Sequence, residues 1–244
     1  MVTEKNQVDY LGVDELFDTE NKLVGYNRDI VLKMLKSISK KEKVSEILEF
    51  GAGIGTLARL WNDILGVKPD CLEIDKKLCK ILEERGFCVF QSLESIGNIK
   101  KYDVIYTSNV LEHIEDDIAT LKQLKSLLNE DGIIIIYVPA FMCLYSEMDK
   151  SVKHYRRYSK KELVNKVSGA GFKIIDCYFA DSVGFFASLF IRFFGYKNNL
   201  QLGGPKSLEM YDKYIYPLSY IADLAGCRKL FGKNLLLVAK KGNS

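Results

Sequence analysis

Short apolar strands alternate with amphipathic helices from residue 44 to residue 138 of this chain. The predicted strands are Val44–Phe50, Pro69–Ile74, Phe87–Phe90, Tyr102–Ser108 and Ile133–Val138, and the predicted helices are Thr56–Leu65, Lys76–Arg85 and Glu115–Leu128. The last of these strands contains only isoleucine, tyrosine and valine, which is typical of a strand buried on both faces. This alternation, with short connections, predicts an α/β fold: a doubly wound, mostly parallel sheet covered by helices on both faces.

Further helices and strands flank this alternating segment. Residue spacing predicts helices over Asn21–Lys36 and Ser159–Gly169 and strands over Lys173–Phe179 and Leu235–Ala239. Between the last two strands lie two apolar helical stretches, near 182–195 and 207–226, which interrupt the sheet pattern. We therefore divide the chain into an N-terminal helical segment (1–40), a cofactor-binding α/β core (41–180), a helical cap insertion (181–232) and a final core strand with its tail (233–244).

Composition limits the classes of partner and compartment. The 244 residues suit one substantial domain, and a net charge of +3 over 35 basic and 32 acidic residues predicts no nucleic-acid partner. The first residues lack the pattern of a signal peptide, and no apolar run reaches the roughly 18–20 residues that span a bilayer. The six cysteines form no CxxC pair and no cluster with histidine. We expect free thiols, no metal site and a cytoplasmic location.

A glycine-rich turn, Gly51-Ala52-Gly53-Ile54-Gly55, joins the first core strand to its helix. Glycines at such a turn let the backbone approach a ligand that would collide with any Cβ atom. The dinucleotide spacing GxGxxG would require glycine where Thr56 stands. Glu49, two residues before the first glycine, would repel a pyrophosphate and attract an ammonium group. The turn therefore disfavours a nicotinamide site.

Acidic residues end the second core strand. Glu73 stands where a carboxylate can accept hydrogen bonds from ribose hydroxyls, as at the second strand of other nucleoside-binding sheets. Asp75 directly precedes the next helix and is a candidate N-cap. Glu73 is therefore a candidate cofactor residue, and the alternative is an ordinary exposed acid at a strand end.

Both histidines of the chain fall next to the predicted ligand edge of the sheet. His113 follows the fourth strand, and His154 lies in the run Lys153-His154-Tyr155-Arg156-Arg157-Tyr158 after the fifth. Arginine forks suit carboxylates or phosphates, and an imidazole can take a proton from a hydroxyl. The alternative interpretation is a structural histidine in each case and a solvated basic loop with its tyrosines packed under the next helix.

Taken in order, these segments resemble a known family. ILEFGAGIG, CLEID, YDVIYTSNVLEHIEDD and GIIIIYVPA together resemble the class I S-adenosylmethionine-dependent methyltransferases. With DKSVKHYRRYSKKEL, AGF and GKNLLLVAKK, the chain looks like a bacterial branch, marked by LEHIEDD and HYRRYS, that is often found with polysaccharide-assembly genes. The resemblance covers roughly residues 20 to 241. It implies a Rossmann-like sheet of seven strands whose last strand is antiparallel.

The resemblance also implies roles for single residues. The methionine end of the cofactor would lie against Gly51, Ala52 and Gly53, with Glu49 in support. The remaining implied cofactor residues are Glu73 and Ile74 at the ribose, Ser92 and Leu93 at the adenine, Asn109 and Leu111 through their backbone, and His113 near the transferred methyl group. The sequence departs from the family at Gln91-Ser92-Leu93, because many relatives carry there an aspartate that binds the adenine amino group.

These patterns predict an S-adenosylmethionine-dependent methyltransferase acting on a small polar acceptor, either a hydroxyl or an anionic sugar- or phosphate-containing molecule. His154 and His113 are the candidate bases, and the candidate acceptor-binding residues are Tyr26, Tyr155, Arg156 and Arg157. Two alternatives remain open: a non-catalytic cofactor-binding module, and a lipid-linked acceptor at the membrane surface, prompted by FFASLFIRFF in the insertion. We favour a cap over a membrane contact for the insertion, and the sequence leaves the oligomeric state open.

Overall fold

The computed structural model describes residues 12–38, 44–97, 100–195 and 204–242, and seven strands of these residues form one sheet. The strands are β1 (Ile47–Phe50), β2 (Asp70–Leu72), β3 (Val89–Phe90), β4 (Tyr102–Ser108), β5 (Leu128–Pro139), β6 (Phe172–Ala180) and β7 (Asn234–Lys241). Their order is β3-β2-β1-β4-β5-β7-β6. Strands β1 to β5 are parallel, and β7 runs antiparallel to both β5 and β6. The predicted doubly wound fold, with its antiparallel last strand, is confirmed.

Eleven α-helices connect the strands in the described ranges. They are α1 (Val13–Lys22), α2 (Val24–Lys36), α3 (Thr56–Leu65), α4 (Lys76–Glu84), α5 (Leu93–Ile96), α6 (Asp117–Leu127), α7 (Glu147–Ser151), α8 (Lys160–Gly169), α9 (Ser182–Phe190), α10 (Pro205–Met210) and α11 (Tyr216–Leu224). The single N-terminal helix predicted over 21–36 is wrong, because two helices meet at Leu23, which has non-helical backbone angles. The predicted caps are confirmed: Asp75 accepts from two amides at the start of α4, and Ser159 accepts from the amide of Glu162 in α8.

Side chains of β5 alternate between two hydrophobic cores, one on each face of the sheet. Ile134 and Ile136 face the core that α6 and α8 cover. Ile133 and Ile135 face the other core, which α2 and α3 cover. A strand with apolar residues at every position suits this burial on both faces, as the sequence indicates.

Two acids of the segment between β6 and β7 link it to the rest of the protein: buried Asp223 and half-buried Asp212. Asp223 of α11 accepts hydrogen bonds from the amides of Asp181 and Ser182, where β6 ends and α9 begins. Asp212 accepts from the amides of Gly25 and Tyr26 in the first turn of α2. The insertion therefore packs against the N-terminal helices as well as against the sheet.

The segment after β5 returns to the carboxyl edge of the sheet. Ala140 forms a parallel bridge with Tyr158, and the amide of Tyr158 donates to the carbonyl of Pro139. This closure holds residues 141–157 beside the ends of β4 and β5. It positions His154, the candidate base after β5, close to His113 after β4.

Candidate active site

The glycine-rich turn between β1 and α3 has the backbone geometry that its sequence predicts. Gly51, Gly53 and Gly55 all have positive φ angles, of 79°, 56° and 80°. A Cβ atom at Gly51 would lie 2.3 Å from a methyl group of Val110, so this glycine also permits close packing of the loop after β4. Leu16 of α1 lies over Gly53, at 3.7 Å from the position of an added Cβ. The turn is therefore open to a ligand beneath a neighbouring helix.

The Glu73 carboxylate lies at the end of β2 and faces the glycine turn. Its Oε2 atom accepts from the amide of Gly53 at 2.9 Å, and its Oε1 atom accepts from the amides of Ile74 and Asp75. Burial raises the pKa of Glu73, although these three hydrogen bonds oppose the shift. Because each carboxylate oxygen has two lone pairs, Oε2 can accept one further ribose hydroxyl. A second hydroxyl would have to replace the Gly53 amide.

The residues around the predicted adenine site differ in exposure and partners. The Ile74 side chain is 68% exposed directly after Glu73, which suits stacking against a base. Ser92 caps α5 by accepting from the amide of Ser95, so its hydroxyl is partly occupied. Leu93 is half-buried and packs on the core. An adenine at this edge would therefore depend mainly on apolar contacts.

Glu49 lies beneath the turn rather than in the open cleft. Its carboxylate accepts from the Tyr106 hydroxyl at 3.0 Å and is almost fully buried. Burial raises the pKa of Glu49 to about 8, against the opposing hydrogen bonds from Tyr106 and from the Ala58 amide. These contacts tie β1 to β4 and α3. They give Glu49 a supporting position under the predicted methionine site.

The loop after β4 carries the other predicted cofactor residues. Asn109 is exposed with a positive φ of 54°, and its amide donates to the carbonyl of Tyr137. Leu111 is buried, and its carbonyl accepts from the Tyr158 hydroxyl at 3.1 Å. The Leu111 carbonyl is therefore engaged within the protein, whereas the Asn109 side chain faces the solvent side of the edge.

The two histidines lie against each other at this edge. Their ring centroids are 4.4 Å apart, with the planes at 83°. The His154 Nδ1 atom lies 2.8 Å from Oδ1 of Asp149, a residue that the sequence did not single out. Burial and the neighbouring His154 lower the pKa of His113 to about 4, so His113 is neutral near pH 7. The structure thus brings the two candidate bases together.

Both predicted acceptor arginines bind carboxylates of the protein. Arg157 donates from Nε and Nη2 to the two oxygens of Asp149, and Arg156 donates to Asp117 at 2.8 Å. Burial raises the pKa of Asp149, but the hydrogen bonds from His154 and Arg157 outweigh it and hold that pKa well below its usual range. These arginines therefore position Asp149 and the loop. Their binding of an acceptor stays a prediction.

Glu112 lies behind the histidines and is fully buried. Neither carboxylate oxygen has a hydrogen-bond partner among the described residues, and Oε1 lies 3.9 Å from Nε2 of His154. Burial raises the pKa of Glu112 to about 8, against the opposing influence of its own amide and of Arg157. No sequence signal distinguishes this acid from an ordinary acid at a helical turn, since its environment comes from distant segments.

The two predicted acceptor tyrosines lie in different surroundings. Tyr155 is exposed, and its amide donates to the carbonyl of Glu112. Tyr26 is buried, and its hydroxyl forms hydrogen bonds with Tyr137 and Asn234. Lys233, which the sequence did not single out, has its ammonium group 6.0 Å from the centre of the Tyr26 ring. The structure therefore places Tyr155 at the surface and Tyr26 in the core.

A family model described as "Methyltransferase domain" matches residues 20–176, which include the turn, the strand-end acids and both histidines. The chain belongs to the methyltransferase domain family. The match ends within β6, so the insertion and β7 lie outside it. The two neighbouring histidines lie inside it.

Curated relatives and solved structures agree with this family. The chain is 25% identical over 148 residues to malonyl-[acyl-carrier protein] O-methyltransferase 1 of Ilyobacter polytropus, covering 55% of each protein. It is 26% identical over 167 residues to the probable polyketide synthase 23 of Dictyostelium discoideum, covering 58% of this chain and 7% of the synthase. The chain thus spans about half or less of the length of these relatives.

Two solved structures share the fold at low sequence identity. A SAM-dependent methyltransferase from Archaeoglobus fulgidus superposes with a TM-score of 0.59 at 18% identity, over 93% of this chain and 99% of that one. A putative sarcosine dimethylglycine methyltransferase from Galdieria sulphuraria gives 0.60 at 16%, over 98% and 92%. Both show the fold alone.

The residues present fit S-adenosylmethionine. The positive-φ glycines leave open backbone for the methionine end, Oε2 of Glu73 keeps a lone pair for a ribose hydroxyl, and exposed Ile74 offers an apolar surface to adenine. Glu49 is almost fully buried beneath the turn, and its support of the cofactor's methionine end stays a prediction. The fit is strongest at the ribose and weakest at the adenine amino group, where Ser92 is already a helix cap.

Proposed function

We propose that this protein transfers the methyl group of S-adenosylmethionine to a small polar acceptor bearing a hydroxyl or anionic group, such as a sugar or phosphate derivative. The observation that carries the proposal is the pairing of His113 with His154, oriented by Asp149, at the ligand edge of the sheet. We further propose that the protein is cytoplasmic and acts in the assembly of polysaccharides. Nucleic acid is not among the proposed partners, because the chain is nearly balanced in charge.

The bound cofactor supplies an electrophilic methyl group on a sulfonium, whose leaving group is a neutral thioether. The protein has to align the acceptor oxygen, exclude water and promote loss of the hydroxyl proton. His113 and His154 are the groups placed to promote that loss. Arg157 and Asp149 hold His154 in position, and exposed Tyr155 borders the acceptor side.

An acceptor screen with labelled cofactor tests this proposal. The panel contains sugar nucleotides, phosphorylated sugars and lipid-linked sugars. We expect label transfer to one class, and we expect His154→Ala to lower turnover by about 10²–10⁴-fold while S-adenosylhomocysteine affinity stays nearly unchanged. Cofactor binding with no transfer to any acceptor would favour the non-catalytic module instead. Normal turnover of His154→Ala would remove the histidine pair from the mechanism.

A lipid-linked acceptor at the membrane surface is the second candidate function. Phe186, Phe190 and Phe193 expose 56%, 56% and 59% of their surface, whereas Phe185 of the same helical segment packs against Phe141. If the insertion were a cap, these phenylalanines would be buried against the acceptor site. Their exposure therefore favours a contact with the membrane surface. In the described ranges, no helix is long and apolar enough to cross a bilayer, so this contact would be peripheral.

A cavity beside the candidate site supports the same alternative. It measures about 520 Å³ and lies between the loop after β5 and the exposed end of the insertion. Its walls include apolar Met142 and Phe193, the cation Arg192, and Lys150, which is paired with Glu147 of the same wall. This combination suits an anionic lipid or a lipid-linked phosphate. Tyr145, another wall residue, donates to the carbonyl of His154 and links the cavity to the histidine pair.

Vesicle flotation tests the membrane candidate. We expect the protein to float with anionic vesicles, Phe193→Asp to abolish flotation, and Ile175→Asp to leave it unchanged. Ile175 is the matched control, because it is equally exposed but lies on β6 away from the insertion's apolar face. If the wild-type protein does not float, or if the Phe193→Asp variant floats equally well, the membrane contact is contradicted. The insertion would then be interpreted as a cap.

A further inference from the structure

Three side chains from separate segments meet beside the proposed acceptor site. One ligand-type atom from each of Glu112, His113 and His154 lies within 4.8 Å of the other two. The first two residues follow β4 and the third follows β5, so the fold, not the local sequence, assembles the group. Two imidazoles and one carboxylate are a set of ligands that proteins use for divalent transition metals.

The imidazole of His154 is oriented by a hydrogen bond on one of its two ring nitrogens. The Nδ1 atom of His154 is bound to Asp149, which Arg157 holds by two further hydrogen bonds. A carboxylate or a backbone carbonyl on the outer nitrogen is the usual support of a metal-binding histidine. The Nε2 atom of His154 is thereby left to face Glu112, whose Oε1 atom lies 3.9 Å away.

The Glu112 carboxylate gives an independent indication of a ligand. It is fully buried, and neither of its oxygens has a hydrogen-bond partner among the described residues. A buried carboxylate without a partner is costly, and proteins pair such groups with cations or metal ions. Arg157 is the neighbouring cation, but its Nε and Nη2 atoms donate to Asp149, and its buried Nη1 atom has no hydrogen-bond partner among the described residues. An ionised Glu112 would therefore have no hydrogen-bonded cation among the described residues to balance it.

We propose that Glu112, His113 and His154 bind one divalent transition-metal ion. The mixed nitrogen and oxygen ligands suit Zn²⁺ or Mn²⁺ better than Mg²⁺ or Ca²⁺, which prefer oxygen alone. With bonds of roughly 2.0–2.2 Å, tetrahedral ligand atoms lie about 3.4 Å apart, so separations of up to 4.8 Å in the cluster have to contract by up to about 1.4 Å. His113 is exposed and has room for this movement. Three protein ligands leave at least one position for another oxygen.

A role of the ion in catalysis rests on the proposed function, because it assumes that the protein methylates an acceptor hydroxyl. An acceptor hydroxyl bound at the open position would ionise more readily, because a divalent cation stabilises the oxygen's negative charge. The hydroxyl proton passes to solvent, and the oxygen keeps the electron pair that forms its bond to the methyl carbon. The carbon–sulfur bond breaks with its pair on sulfur. The histidines would then promote loss of the proton through the ion rather than by taking it themselves.

Zinc titration of the metal-depleted, untagged full chain tests this site. We expect one equivalent of Zn²⁺ by calorimetry. His113→Gln and His154→Gln should each weaken binding by more than 10-fold, and Asp149→Asn should weaken it by about 10- to 100-fold. Glu115→Gln, at a neighbouring exposed acid, should bind zinc as the wild type does. Equal affinity in the wild type and both histidine variants would overturn the proposal.

Nitrogen-15 NMR gives a second readout, because the chain contains only two histidines. We expect one ring nitrogen of each histidine to shift on addition of Zn²⁺. Exposed Cys88 and Cys143 are the competing ligands, so the Cys88→Ser/Cys143→Ser double variant should keep both the affinity and the shifts. Loss of zinc binding in that variant, or unchanged imidazole signals in the wild type, would contradict the site.

Calorimetry with S-adenosylhomocysteine separates this inference from the proposed function. Cofactor binding without zinc binding would overturn the metal site and leave the methyltransferase proposal intact. Zinc binding at the histidines without cofactor binding would support the site and contradict the proposed function. Circular dichroism of each variant distinguishes a lost ligand from a lost fold. If Glu112→Gln unfolds, the exposed His113→Gln variant carries the test.

Discussion

Two glutamates at the ends of adjacent strands have surroundings that give them different chemistry. Glu49 on β1 is buried against Tyr106, and its raised pKa favours the protonated form near neutral pH. Glu73 beyond β2 accepts three amide hydrogen bonds, which oppose the rise in its pKa that burial causes. The acid that faces the cleft is thus the one equipped to act as a hydrogen-bond acceptor. The deeper acid acts mainly on the stability of the turn.

Glu49→Gln should change how stability depends on pH. The pKa of Glu49 is about 8 in the folded protein and near 4.5 in the unfolded chain, so between these values the folded state retains a proton that the unfolded state has lost. Stability of the wild type therefore falls as pH rises, by about 3 kcal/mol relative to the variant between pH 5.5 and 8. Urea unfolding of both proteins measures this difference, and parallel pH profiles would contradict it.

Glu73→Ala should weaken cofactor binding without unfolding the protein. Hydrogen bonds to a charged group contribute about 1.5–3 kcal/mol, which corresponds to a roughly 10- to 150-fold loss of S-adenosylhomocysteine affinity. Glu83→Ala, at an exposed position of α4, is the control and should bind normally. Calorimetry that finds equal affinity in wild type and Glu73→Ala would exclude Glu73 from the ribose site.

The residues that sequence could identify are those whose role depends on local spacing. The glycine turn and Glu73 lie at recognisable ends of strands, and the structure places them facing each other. Asp149 and Glu112 could not be singled out, because their importance comes from contacts with His154, which lies on a different segment from Glu112. The tertiary fold determines which side chains surround such an acid, and no short sequence pattern predicts them.

Among the elements, strongly periodic ones were the most predictable. Helix α3 and strand β4 have the bounds that the sequence predicts. Helix α1 was missed, because it is short and acidic and is held by contacts to distant residues: Glu20 forms an ion pair with Arg85 of the α4 end. The break at Leu23 was missed for the same reason, since the cap of α2 comes from the insertion.

Asp212 links the insertion to α2 and gives a prediction at the scale of elements. Its carboxylate accepts from the amides of Gly25 and Tyr26, at 2.9 and 2.7 Å, in the first turn of α2. Removing a helix cap costs about 0.5–2 kcal/mol, so Asp212→Ala should lower the free energy of unfolding by that amount. Glu209→Ala removes only an exposed ion pair with Lys22 and should cost less than about 0.5 kcal/mol.

Chemical denaturation of both variants measures these two costs. Equal losses of unfolding free energy in the two variants would show that the hydrogen bonds of Asp212 stabilise the protein no more than the exposed ion pair does. A large loss confined to Asp212→Ala would establish that the insertion stabilises the helix next to the glycine turn. This coupling bears on binding, because α2 also carries Tyr26, which the sequence predicts to bind the acceptor and which the structure places in the core.

At the scale of the whole molecule, the parallel sheet collects distant segments at one edge. The turn after β1, Glu73 after β2, His113 after β4 and His154 after β5 all lie at carboxyl ends of parallel strands. Open α/β sheets bind ligands at this edge. The fold was predictable because alternation of strands and helices admits few arrangements. The exposure of the insertion's apolar side chains was not predictable, because helical spacing predicts an apolar face but not what covers it.

Cofactor binding should stabilise the whole fold, since Glu73, the glycine turn and α1 all surround the proposed site. A ligand that binds only the folded state at 100 times its Kd contributes about 2.7 kcal/mol, which corresponds to a rise in Tm of roughly 5–10 °C for a chain of this size. We expect this shift with S-adenosylhomocysteine and none with NAD, because Thr56 stands where the dinucleotide spacing GxGxxG requires glycine. Hydrogen exchange should slow most in the glycine turn and in α1, whose Leu16 lies over Gly53. Equal thermal shifts with both ligands would favour a nicotinamide site, and slowed exchange confined to α6 and α8 would place the ligand on the other side of the sheet.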